Sequence, residues 1–158
     1  MNLLRRLFKA PNYDSLSLCE LVALTVDSPG QGVNHVLIER LITSKVYTIP
    51  PKKFLTKAEG ENVSPISKQG GPDGQVYFVV FCEINAIREE YPDWTIVELP
   101  GATVIELAIK AAVGVVVRTS KREFDSPAAV LPAATVASIC DAVPRFEVPD
   151  PVRIYWAG

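Results

Sequence analysis

A chain of 158 residues with a formal net charge of -2, 48% hydrophobic and 22% charged, falls within ordinary globular composition. A single domain of this length buries about 68–70% of its unfolded surface, so neither a metal nor a disulfide is needed to hold it. The charge balance excludes a basic nucleic-acid binder, and no stretch approaches membrane-spanning length. Cys19, Cys82 and Cys140 are odd in number, widely spaced and set beside Leu18, Phe81 and Ile139. They read as reduced, mostly buried thiols of a cytoplasmic protein.

The charges of Arg5, Arg6 and Lys9 interrupt the apolar residues at the start, which therefore lack a signal peptide's continuous apolar run. Leu4, Leu7 and Phe8 share one helical face, and docking on the chain's own domain or fraying is a stronger reading of so short a segment than membrane attachment. Asp14 or Ser15 is placed to cap a helix with Leu18, Leu21, Val22 and Thr25 on its face, ended by Ser28-Pro29-Gly30. A second helix opens at Gly32 and Asn34, with Val36, Leu37, Ile38, Leu41 and Ile42 inward and His35 in its first turn. His35 has no ligand cluster or catalytic partner beside it, so a surface or capping imidazole is the stronger reading. Lys45 to Ile49 alternate as a strand and Pro50-Pro51 stop it. The irregular stretch up to Gly74 predicts short strands near Lys53 to Thr56 and Val63 to Ser67, and its lysines lack phosphate-loop spacing.

The turn Gly70 to Gly74 predicts a hairpin into Gln75 to Cys82, a continuous apolar run suited to a central strand. Glu83 to Tyr91 form a short helix with Ile84 and Ile87 inward. The strand Thr95 to Leu99 is broken by Pro100-Gly101, and Thr103 with Glu106 has capping-box spacing. The helix from Thr103 to Ala112 is apolar round most of its girth, so it is either buried or half of a homodimer interface. Gly114 suits its left-handed terminus, and Val115 to Val117 form an internal strand. Val130-Leu131 add a brief extended piece, Pro132 or Ala133 begins a last helix, and Val152 to Trp156 alternate as an edge strand. The predicted fold is α/β (α+β), a single domain with a mixed β-sheet flanked by helices. It divides into a helical extension (1–32), an α/β domain (33–143) and an edge strand with tail (144–158).

Three pieces of this pattern carry a resemblance. They are Leu37-Ile38 through Ser44-Lys45-Val46-Tyr47; the strand Val76 to Phe81 with the helix Glu83 to Glu90 and Trp94; and Glu98-Leu99-Pro100-Gly101 followed by Ile105-Glu106-Leu107-Ala108, Gly114 to Val117 and Leu131-Pro132. In this order they resemble the N-terminal domain of the SseB family, named for enhanced serine sensitivity, over about Val33 to Val143. Arg118-Thr119 stands where that family often has Asn-Pro. The resemblance implies a mixed α/β domain with no established chemistry and no catalytic residues, some members being associated with secretion.

Acyl transfer lacks a Ser or Cys with a plausible histidine partner, and hydrolytic metal sites lack ligands, so no enzymatic role, cofactor or metal is expected. Glu83, Glu89, Glu90 and Asp93 read as the wet face of a short helix. The leading expectation is a cytoplasmic interaction module that binds a protein partner and no nucleic acid, through Tyr47, Trp94, Tyr155 and Trp156 and edge strands able to accept another strand. Core packing competes for each aromatic, and is the stronger reading for Tyr77 and Trp94. One alternative is an immunity protein that neutralises a basic effector. Another is a small-molecule or anion-binding sensor or enzyme using the Gly101 turn, where the amides near Gly101 and Thr103 open a helix.

Overall fold

The computed structural model describes residues 15–27, 33–71, 73–119, 128–140 and 153–156. The first described helix, α1 (Leu18–Asp27), opens on Ser17. The Ser17 hydroxyl accepts from the Glu20 amide at 3.2 Å, and the Glu20 carboxylate accepts from the Ser17 amide at 3.2 Å. This reciprocal box stands where Asp14 or Ser15 was the expected cap. Helix α2 (Val33–Thr43) leads through Ser44 into β1 (Lys45–Thr48). Pro51 then caps a single turn, α3 (Lys52–Leu55), where an extended segment was expected. The Thr56 amide and hydroxyl both donate to the Lys52 carbonyl, at 3.1 and 3.0 Å, and Phe54 is buried, so the turn is closed at its end and anchored in its middle. The strand expected over Val63 to Ser67 is irregular. Ser64 folds back on Ile66, accepting from its amide and donating to its carbonyl, and pairing begins only at β2 (Lys68–Gly70).

Gly74, at φ +79°, turns the chain into β3 (Val76–Phe81), antiparallel to β2. The remaining elements are α4 (Ile84–Glu90), β4 (Ile96–Pro100), α5 (Gly101–Ala111), β5 (Gly114–Arg118), β6 (Ala128–Leu131), α6 (Ala133–Cys140) and β7 (Arg153–Tyr155). The strands form one seven-stranded mixed sheet in the order β6-β5-β3-β1-β4-β7, with β2 beside β3. Strands β3 and β5 pair in parallel, and every other pairing is antiparallel. The expected α/β class, a mixed sheet flanked by helices, is what the chain adopts.

Two crossovers decide which helix lies on which face. The step from β3 to β4 and the step from β4 to β5 travel across the sheet in opposite directions, so crossovers of one hand place α4 and α5 on opposite faces. Helices α1, α2, α5 and α6 cover the first face, where Leu21, Leu37, Leu41, Val104 and Val136 pack on Val46, Phe78, Val80, Val97, Leu99, Val115 and Val117. Leu18, Leu21 and Val22 belong to this core, so the described part of the leading extension is built into the domain. On the second face Ile87 of α4 seals a smaller cluster with Phe81 and Ile96, flanked by Tyr47, Ile49, Ile84, Tyr91 and Tyr155.

Close approach of another backbone requires glycine at Gly101 and Gly114, neither for the reason expected. Helix α5 begins at Gly101, with Pro100 as its cap and no side-chain cap, so Thr103 lies inside the first turn and the expected capping box does not form. The Gly101 amide donates to the Ser44 carbonyl at 2.8 Å, and a Cβ at 101 would stand 1.6 Å from the Leu41 carbonyl oxygen. The left-handed residue that ends α5 is Ala112, at φ 54°. Gly114 instead opens β5, where a Cβ would lie 2.5 Å from the Leu131 carbonyl oxygen and 2.6 Å from the Tyr77 ring. Val104, Ile105 and Ala108 of the apolar run from Thr103 to Ala112 are buried inside the fold.

The expectation of three reduced thiols is corrected. Cys19 of α1 and Cys82, the residue after β3, form a disulfide, with Cα atoms 5.5 Å apart. Packing of α1 across β5 and β6 carries Cys19 to the end of β3. There the Cys82 amide donates to the Arg118 carbonyl at 3.0 Å. The Cys140 and His35 side chains lie outside the described residues, as do the amphipathic segment around Leu4 and the tail prolines.

Candidate functional site

Residues paired across neighbouring strands share a face of the sheet, and the register sets a row of side chains across five strands of the second face. Arg118 of β5 pairs with Phe81 of β3, Phe81 with Tyr47 of β1, Tyr47 with Glu98 of β4, and Glu98 with Arg153 of β7. Glu98 is 8% exposed and stands in an otherwise apolar strand. The Tyr47 hydroxyl hydrogen-bonds to it, and the Tyr155 hydroxyl donates to its Oε1 at 3.5 Å. Burial pushes the Tyr47 phenol above its ordinary value, and the Glu98 charge and hydrogen bond add to that. Two of the four expected anchors, Tyr47 and Tyr155, are therefore half-buried partners of one carboxylate.

The other two anchors are exposed. Trp94 is 54% exposed, with its ring 4.9 Å from that of Tyr91 in the turn between α4 and β4. Trp156 is 64% exposed and follows the last paired residue of β7, Tyr155, which stands opposite Ile96. Both tryptophans thus sit at the Ile96 end of the β4–β7 ladder, and core packing does not claim Trp94. Tyr77 is buried, its ring lying over Gly114 and its hydroxyl donating to Asp73 at 2.5 Å.

Two arginines missed by the sequence reading complete this edge. The Arg88 guanidinium of α4 lies 5.7 Å from the centre of the Tyr155 ring and that of Arg153 lies 4.9 Å from it, both within cation–π range. Their signal in the sequence was slight, since each is one exposed charge among many. Glu98 had a clearer one, a lone carboxylate at the inward parity of Ile96. Of the carboxylates weighed for chemistry, Glu83, Glu89 and Asp93 are exposed. The described residues contain no group of three metal-ligating side chains.

The Gly101 turn lies at the opposite end of β4. Its amide is taken by Ser44 and its open side is filled by the Leu41 carbonyl, so Gly101 has no room for an anion. The Thr103 hydroxyl is buried without a hydrogen-bond partner among the described residues. A depression of about 430 Å³ near Val76, Ala112 and Ala133 carries one cation, Lys68, and one amide, Gln75. Val79, Val116 and Val130 form a second, apolar row on the face that carries Tyr47. Among the described residues no helix is long and apolar enough to cross a membrane. Comparison with protein-family models, curated proteins and solved structures finds no match for this chain.

Proposed function

We propose that this chain is a non-catalytic interaction module of the SseB-like type, docking a protein partner along the β7 edge of its sheet. The observation that carries the reading is the convergence of both exposed tryptophans, Trp94 and Trp156, on the end of an edge strand beside Tyr155. Alternate backbone groups of an edge strand point away from its one neighbour, and exposed aromatic rings supply contact area at small entropic cost. The interior of the site is already satisfied, because Glu98 is occupied by two phenols. That suits a rigid platform better than a reacting centre. An anion sensor at Gly101 loses its support where the Ser44 and Leu41 carbonyls close the turn.

Placement in the cytoplasm rested on reduced cysteines, and the Cys19–Cys82 bond removes that support. Docking at β7 does not depend on the compartment. The test is capture from the source cells with wild type, Trp94→Ala and Trp156→Ala, each checked for an unchanged thermal transition. One protein recovered stoichiometrically by wild type, lost in both variants and protecting β7 amides from hydrogen exchange is the expected result. Equal recovery by wild type and both variants overturns it.

A further inference from the structure

We propose that the segment taken up at the β7 edge is extended and acidic, its carboxylates held by Arg88 and Arg153; this rests on the docking reading above. The argument is one of charge complementarity. The guanidiniums of Arg88 and Arg153 come from different elements and converge on one ring, that of Tyr155, at 5.7 and 4.9 Å. Both are exposed, and among the described residues neither makes an ion pair. The carboxylate nearest in register, Glu98 opposite Arg153, is buried on the same face and engaged by Tyr47 and Tyr155. The carboxylate of Glu98 is thus buried while the two guanidiniums near it are exposed, on a chain whose net charge is -2.

Cation–π contact with one phenol holds the two guanidiniums near each other, and a guanidinium's planar fork of donors is suited to receive a carboxylate. A strand laid beside β7 presents every second side chain to the face that carries Arg153 and Tyr155. An acidic residue at such a position meets the arginines, while apolar neighbours reach Trp94 or Trp156. A second copy of β7 laid antiparallel would bring another Arg153 toward the same ring and crowd like charges, so the edge disfavours self-pairing.

The test uses three synthetic peptides of equal length, alternating valine and threonine with glutamate, glutamine or lysine at every second position. Binding is read by intrinsic fluorescence, because the chain's two tryptophans are the two at this edge. The glutamate peptide binds wild type about tenfold more tightly than the glutamine peptide, and the lysine peptide binds more weakly than either. Arg88→Gln and Arg153→Gln each weaken the glutamate peptide about threefold and leave the glutamine peptide unchanged. Equal affinity for glutamate and glutamine peptides on wild type overturns the acidic partner while leaving strand docking in place. No response to any of the three overturns both. The peptide comparison on wild type stands even if an arginine variant fails to fold.

Discussion

Cys19 on the first helix is bonded to Cys82, the residue that follows β3, across a sequence separation of 63. Tying two points so far apart removes freedom chiefly from the unfolded chain, by about 4 kcal/mol for a loop of this length on the chain-entropy account. Reduction, or the pair Cys19→Ser and Cys82→Ser, should lower the free energy of unfolding in urea by an amount of that order. A loss below about 1 kcal/mol would show that the unfolded chain is restrained in some other way.

The exchange of roles between Ala112 and Gly114 gives a pair of opposite predictions. Ala112 holds a left-handed conformation that costs a non-glycine residue roughly 1–2 kcal/mol, so Ala112→Gly should be neutral or stabilising by up to about 1 kcal/mol. Gly114→Ala drives a methyl into the Leu131 carbonyl and the Tyr77 ring, and should destabilise by about 1–3 kcal/mol. Thermal unfolding of the two single variants decides it. Destabilisation by Ala112→Gly comparable to that by Gly114→Ala contradicts the assignment.

Leu21 tests whether the leading helix belongs to the domain. It is fully buried among residues of the sheet and of α2, so Leu21→Ala should cost about 2–5 kcal/mol in a single cooperative transition. A surface-like loss of under about 0.5 kcal/mol would mean that α1 is dispensable.

Two tyrosines link stability to pH at opposite ends of the range. The Tyr47 phenol is raised in the folded state, first by burial and then by Glu98. Its contribution is therefore complete below about pH 10 and is lost as pH rises through the folded value. Tyr47→Phe should flatten the alkaline limb of a stability profile. At the other end, the Tyr77 hydroxyl holds the Asp73 carboxyl below its ordinary value of 3.8. That contribution is present above pH 3.8 and fades as pH falls through the lowered value, so Tyr77→Phe should flatten the acid limb. Wild-type limbs retained in both variants would disprove the assignments.

Most of the architecture was legible because the apolar periods are strong. The runs at Val76–Phe81 and Gly114–Arg118 could only be buried strands, and the stripe through Leu37 and Leu41 could only be a helix face. What the residues concealed was long-range. Thr103 and Glu106 satisfy a local capping rule, but a carbonyl end of α2 arrives at Gly101 and starts the helix two residues earlier. The turn Lys52–Leu55 has strand-like neighbours, and only the burial of Phe54 settles its form. Pairing of Cys19 with Cys82 depends on where α1 lies, which no spacing encodes. At the site, Tyr47, Tyr155 and Trp156 were visible as aromatics. Their grouping by Glu98, Arg88 and Arg153 follows from register, which a side-chain period alone leaves open.

The order of strands gives the β7 edge a place in time. Its partner β4 precedes it by 57 residues at the Tyr155 and Glu98 contact, and every other strand of the sheet lies between or before them. A ribosome therefore delivers the other described strands of the sheet before it delivers β7. Until β7 arrives, β4 is the outermost strand, Glu98 lacks its Tyr155 lid and Arg88 has no second cation beside it. A partner taken up at β7, as proposed above, therefore meets a sheet whose other described strands have already been synthesised.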